Sequence, residues 1–250
     1  MADFSDDKLN EIVDSGYEFR SSEYISKAFA IFKQTPGSYI GFVLLAFVVL
    51  MILGIIPLVN ILANFLSPVL FAGIYIVSQK IDTNQNFEFS NFFDGFKRNP
   101  GQIILASILM GLIACAAAIP MIVGLVPMMM SGTEPGAMFF LGLLVSMVII
   151  FYLMVSWIFT VQFIIFHNMQ AWQAMQASMK LVKGKWWSVF GFIIMLGFMN
   201  MLGALCLLVG LLVTMPVSQI AMYTAFSDVT RMNEDAQMDI MDHLVDEDSV

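Results

Sequence analysis

GQIILASILMGLIACAAAIPMIVGLVPMMMSGTEPGAMFFLGLLVSMVIIFYLMVSWIFTVQFIIF, residues Gly101–Phe166, contains a single Asp, Glu, Lys or Arg, namely Glu134. A helix crosses the roughly 30 Å hydrocarbon core of a bilayer with about 20 residues. A run of this length therefore crosses more than once and must turn, and its one polar stretch, Ser131-Gly132-Thr133-Glu134-Pro135-Gly136, marks where. Two more stretches read the same way. Ile40–Gln79 and Trp186–Ser227 carry no charged residue at all. The first is expected to turn near Ile56-Pro57-Leu58-Val59-Asn60, the last between Gly203 and Gly210. The prediction is an all-α polytopic membrane protein with six transmembrane helices in three hairpins.

Composition agrees. The 250 residues are 59% hydrophobic and 12% charged, with a mean hydropathy of +0.84. Soluble chains carry about 25% charged and about 45–50% apolar residues. The apolar runs are continuous rather than alternating, which selects helices over barrel strands. A net charge of −8 argues against nucleic acid as a partner. The first twenty-odd residues are acidic and lack an apolar h-region, so the first span is expected to act as an uncleaved insertion signal.

The basic residues lie on one side. Lys27 and Lys33 precede the first hairpin, Lys80, Lys97 and Arg98 follow it, Lys180, Lys183 and Lys185 precede the third, and Arg231 ends it. The hairpin tips carry no Lys or Arg. By the positive-inside rule the basic segments and both termini are expected in the cytoplasm, the chain being a multi-pass protein of a bacterial inner membrane.

An internal repeat is visible. Phe29-x-x-Phe32-Lys33-x-x-Pro36-Gly37-x-x-Ile40 recurs as Phe93-x-x-Phe96-Lys97-x-x-Pro100-Gly101-x-x-Ile104, and more loosely as Met179-x-x-Val182-Lys183-x-x-Trp186-Trp187-x-x-Phe190. Pro68-Val69 with Tyr75 matches Pro216-Val217 with Tyr223. Each unit reads as an amphipathic helix followed by a hairpin. The apolar faces are Ile25, Ala28, Phe29, Phe32; then Phe89, Phe92, Phe93, Phe96; then Trp172, Met175, Met179, Val182. Such helices are expected in the headgroup layer, with Lys33, Lys97, Arg98, Lys180, Lys183, Lys185, Trp186 and Trp187 at lipid headgroups. Packing as short cytoplasmic loops against one another is the alternative. The units enter from one side, so the repeats are parallel. They cover about 24–82, 87–166 and 169–230, between acidic tails at 1–23 and 231–250.

These residues carry a resemblance. Phe32-Lys33-x-x-Pro36-Gly37, Pro68 with Ala72-Gly73-x-Tyr75, Phe92-x-x-Gly95-Phe96, and Ala177-Ser178-x-Lys180-Leu181-Val182-Lys183-Gly184-x-Trp186-Trp187-x-x-Phe190-Gly191 resemble a group of poorly characterised six-span bacterial integral membrane proteins. That group is similar to the membrane domain fused to some glycerophosphodiester phosphodiesterases. The resemblance implies no established activity, because catalysis in the fused enzymes belongs to a separate soluble domain.

Candidate sites are few. Buried ionisable residues mark coupled transport, and no predicted span holds one at depth. Glu134 falls in an outer loop and His167 at a helix end with Asn168. Asn60, Asn64, Gln162, Asn200 and Gln219 either line a polar cavity or serve as interhelical hydrogen-bonding groups, and Pro68 and Pro216 are expected helix kinks. Met128-Met129-Met130 and the other methionines read as apolar filler, and Cys115 and Cys206 as packing residues. No catalytic constellation, cofactor cradle or metal cluster is legible. In the tails seven acids face Lys8 and Arg20 in 1–23, and eight face Arg231 in 228–250. These segments are expected to be solvated and partly disordered, with Met238, Met241, Leu244 and Val245 able to form a docking face. The expected function is a non-catalytic scaffold that engages membrane lipids and, through its tails, another membrane or cytoplasmic protein. A permease or lipid carrier with a path between the hairpins is the alternative.

Overall fold

The structure, a computed structural model, describes residues 6–55, 57–131, 134, 136–206 and 209–232. The side chains of Asn60, Met128 and Met129 and the expected docking face from Met238 to Val245 lie outside the described residues. The helices are α1 (Asp6–Ser15), α2 (Ser21–Gln34), α3 (Pro36–Ile55), α4 (Pro57–Asp82), a 3₁₀ helix (Phe89–Phe96), α5 (Pro100–Ala117), α6 (Ile119–Ser131), α7 (Ala137–Ser156), α8 (Thr160–His167), α9 (Ala171–Lys183), α10 (Trp186–Leu205) and α11 (Leu211–Val229). Pro36, Pro57 and Pro100 each open a helix, where a missing N–H costs nothing. α7 begins just after the polar stretch 131–136 and α10 ends between Gly203 and Gly210, whereas Ile56 of the first expected turn lies outside the described residues.

Four stretches are long and apolar enough to cross a membrane: Pro36–Ile55, Pro100–Pro127, Ala137–His167 and Trp186–Leu205. The 20 residues of α3 cover about 30 Å at 1.5 Å per residue, one hydrocarbon core. These most apolar stretches have the least buried residues, between 6% and 22% of each. α11 reverses the pattern. It carries Thr214, Ser218, Gln219, Tyr223, Thr224 and Ser227, and most of it is buried. A protein whose outer solvent is hydrocarbon exposes apolar side chains at no cost and must pair polar groups inside.

α4 and α11 run side by side and parallel. Tyr75 Oη donates to Gln219 Oε1 at 2.5 Å, and further along Tyr223 Oη donates to Asp82 Oδ2 at 3.1 Å. α8 completes this centre, with Phe159, Phe163 and Phe166 meeting the Phe226 ring at 5.8, 4.9 and 6.0 Å. The remaining elements wrap these inner helices. α2 and α3 pack on α11, the 3₁₀ helix and α5 on α4, α9 on α8, and α10 on α7.

The amphipathic helices therefore turn their apolar faces onto protein. α2 buries Tyr24, Ala28, Ile31 and Phe32, a stripe shifted from the expected one. In the second unit the prefix is 3₁₀ rather than α. It buries Phe92 while Phe89 and Phe96 stay exposed. α9 buries Met175 and Val182 but exposes Trp172. Spacing identifies an apolar face without saying what covers it, and here neighbouring helices do. The amino tail also departs from expectation. α1 is ordered among its acids because Leu9 and Ile12 are buried, and Tyr17 Oη donates to the Leu181 carbonyl at 2.7 Å.

Two of the quoted motif segments form one joint. A Cβ added at Gly73 would sit 1.7 Å from the Phe92 carbonyl oxygen, and one at Gly95 2.2 Å from that of Val69. Ala72-Gly73 and Phe92-x-x-Gly95 thus let two backbones touch, and the Phe92 ring stacks on Phe42 at 4.7 Å. Interruptions in the helices are patched by serines. Pro68 has no N–H for the carbonyl of Asn64, and Ser67 Oγ donates to that carbonyl at 3.1 Å. α7 breaks at 157–159 before α8. There Ser178 Oγ accepts from Phe159 N at 3.2 Å and donates to the Ser156 carbonyl at 2.7 Å.

Gly73→Ala is expected to lower stability in mild detergent by about 3 kcal/mol, the upper range for overpacking, because backbone lies against the site. Gly191→Ala, where nothing lies within 4 Å, should instead be neutral or gain up to about 1 kcal/mol from helix propensity. Thermal melts of the two purified variants check the contrast. Ser178→Ala should cost about 1–3 kcal/mol, since it leaves the amide and carbonyl at the break without their bridge.

Candidate functional site

The basic residues gather at one end, where α1, α2, α9, the 3₁₀ helix and the last turns of α4 and α11 meet. Part of this face is neutralised internally. Arg20 of the α2 entry pairs with Glu23 at 3.0 Å and Asp228 at 3.3 Å. Lys27 pairs with Asp82 at 2.8 Å. Tyr24 Oη donates to Asp228 Oδ2 at 2.7 Å, and Thr224 Oγ1 donates to the Tyr24 carbonyl at 3.0 Å. Glu23, Tyr24, Lys27, Thr224 and Asp228 line a polar cavity of 320 Å³ between α2 and α11. Asp228 and Asp82 raise no flag in the sequence. One opens the acidic stretch from 228 and the other ends the first repeat unit, and the docking of α2 brings Arg20 and Lys27 to them.

Burial holds the Tyr17 hydroxyl up at about 12. Burial, helped by the bond to Asp228, pushes the Tyr24 hydroxyl well above its ordinary value. The Asp228 and Glu23 carboxylates raise Arg20. In the 3₁₀ helix partial burial works to raise the Asp94 carboxyl, but hydrogen bonds from Lys97 and Asn91 and the charges of Lys97 and Lys80 outweigh it and hold it below the usual carboxylate range. Lys97 Nζ lies 2.7 Å from Asp94 Oδ1, Asn91 Nδ2 donates to Asp94 Oδ2 at 2.8 Å, and Lys80 Nζ donates to Asn91 Oδ1 at 3.1 Å.

The lysines at the end of α9 differ. Lys180 meets only the neutral Asn10. Lys183 and Lys185 have no acidic partner among the described residues. They stand at the mouths of two largely apolar grooves that share Tyr152 and Lys183. One, of 580 Å³, is lined by Met147, Val148, Phe151, Lys185, Trp186 and Trp187. The other, of 650 Å³, is lined by Ile113, Leu153, Trp157, Trp172, Met175, Met179 and Lys180. Tyr152 stacks on Trp186 at 5.7 Å, and Trp186 on Phe190 at 5.3 Å, forming the wall beside the first groove.

The candidate polar groups have separate surroundings. Asn200 Nδ2 donates to Ser218 Oγ at 2.9 Å between α10 and α11, and Gln219 accepts from Tyr75. Gln162 is fully buried in α8, its amide atoms without partners among the described residues. Asn64 lines a groove of 340 Å³ with Val43, Phe47, Ser67, Phe71 and Met215, which none of the other three enters. Pro68 and Pro216 lie inside α4 and α11. Lys33 is exposed at the end of α2, and Arg98 follows the 3₁₀ helix, with one guanidinium nitrogen buried and unpartnered. Among the described residues no three His, Cys, Asp or Glu side chains cluster as metal ligands.

Long apolar helices around a polar, hydrogen-bonded interior define a polytopic, largely helical membrane protein. The chain belongs to a family described as a domain of unknown function, DUF7847, whose match covers residues 96–238. No curated protein and no solved structure matches it. The likeness to the phosphodiesterase-linked membrane domain stays a resemblance.

The depressed Asp94 carboxyl fixes the sign of a pH effect. Its charged form is favoured in the folded state, so its contribution is present at neutral pH and is lost as pH falls through the folded value. Asp94→Asn should therefore lower the melting temperature at pH 7. The gap to the unmodified protein should close as pH drops below about 4, the ordinary carboxylate value.

Proposed function

We propose that the chain is a six-span protein of a bacterial inner membrane, built as three parallel hairpin units with both termini cytoplasmic. It acts as a non-catalytic scaffold, engaging lipids with its basic face and other proteins with its acidic tails. The wrapping order supports the three units. Each unit's prefix and first span pack on the outgoing helix of the unit before it, and the first unit packs on the last, through α2 and α3 on α11. α4 and α11 then join the four most apolar stretches as the fifth and sixth spans. The gathering of lysines and arginines at one end supports the orientation.

The observation that carries the scaffold reading is the separate pairing of the polar side chains. A solute path needs polar groups that converge on one space. Here Asn200 and Gln219 are bonded into different helix contacts, and the rings of Phe159, Phe163, Phe166 and Phe226 fill the centre. A carrier draws support from one feature, the Asn64–Met215 groove near Pro68 and Pro216.

In a C115A/C206A background, a single cysteine replacing Glu134 should react with a membrane-impermeant maleimide from outside intact cells. One replacing Lys33 or Lys185 should react only after permeabilisation, and the reverse pattern overturns the orientation. The full chain in mild detergent at low salt should run as a complex that raised salt dissociates, and proteoliposomes should pass no solute. A partner-free monomer that conducts a solute replaces the scaffold with the carrier.

A further inference from the structure

The two grooves beside α9 share an arrangement that the scaffold reading leaves unused. Both are lined by Lys183 and Tyr152, so two largely apolar spaces share one polar point. Their volumes, 580 and 650 Å³, fall in the range of about 300–1,000 Å³ typical of sites for organic ligands. Each groove is also lined by one tryptophan whose buried indole N–H has no acceptor among the described residues, Trp186 in the first and Trp157 in the second. A buried donor normally finds an acceptor.

We infer that this corner holds one anionic two-chain glycerophospholipid, its phosphate at Lys183 and one acyl chain in each groove. The inference rests on the membrane reading above and names the lipid that the basic face selects. Charge complementarity chooses the class. Lys180, Lys183 and Lys185 meet no carboxylate among the described residues, whereas Lys27 and Lys97 are paired with Asp82 and Asp94. Three ammonium groups with no acidic partner among the described residues attract a lipid with net negative charge. They offer nothing to the ammonium of a zwitterionic headgroup.

The chain supplies its own probe, because its four tryptophans all line these two grooves. The full chain is reconstituted in phosphatidylcholine vesicles with a minor fraction of phosphatidylglycerol, bromine being placed on the acyl chains of one lipid or the other. At equal mole fraction, brominated phosphatidylglycerol should quench tryptophan fluorescence several-fold more effectively than brominated phosphatidylcholine. The preference should fall stepwise as lysines are removed at low salt, vanish in K180Q/K183Q/K185Q, and weaken as salt is raised on the unmodified protein. K27Q, which changes a lysine away from the grooves that is already paired with Asp82, should keep it. Equal quenching by the two lipids, or a preference that survives the triple variant, overturns the inference. Thiol labelling on the same preparations separates the causes. An intact topology with equal quenching rejects the lipid site alone, and a reversed topology rejects the membrane orientation on which it rests.

Discussion

A backbone carbonyl or amide inside hydrocarbon has no water to turn to, and the whole architecture follows from that constraint. It selects helices, and it dictates what happens wherever a helix is interrupted. The carbonyl orphaned by Pro68 is taken up by the hydroxyl of Ser67, one residue before the proline. The break between α7 and α8 is taken up by Ser178, which comes from α9 and bonds both sides of the gap. α9 thus acts as a splint on an otherwise broken span. The same constraint sorts the side chains, leaving the plainest helices on the outside and drawing the polar ones, above all α11, to the centre.

The legible part of this fold was the part set by transfer into lipid. Charge-free stretches and their Pro/Gly-marked limits located the helices to within a few residues, and Lys33, Lys97 and Lys183 marked a common end. The contacts between units were not legible. Ile25 and Phe29 have the spacing of an interfacial face, yet Tyr24 and Ile31 lie deeper, and of the second face Phe92 is buried while Phe89 is exposed. Apolar periodicity has the same form whether lipid or a neighbouring helix covers it. The Gly73–Phe92 joint was present as two quoted motif fragments, but nothing local says that residues so far apart touch. In the same way Asp82 and Asp228 look like ordinary helix-end acids until α2 brings Lys27 and Arg20 to them.

That pairing divides the basic face into two kinds of cation. Arg20 and Lys27 hold α2 to α11 and α4 through Asp228 and Asp82, and Lys97 pairs locally with Asp94 at the end of the 3₁₀ helix, so these charges are met within the molecule. The α9 lysines face outward beside four aromatic walls. A net charge of −8 says nothing of this, because the tails carry the acid while the body between them is net basic.

The packing of α2 on α11 has a consequence for how the chain is made. α2 ends at Gln34 and its partner starts at Leu211, so a growing chain completes the first element long before the surface that receives it exists. At about 5–20 residues per second, the apolar face of α2 waits about 9–35 s for α11 to leave the ribosome. α2 is in effect a clasp that fastens only once α11 has arrived, which ties closure of this contact to the making of α11.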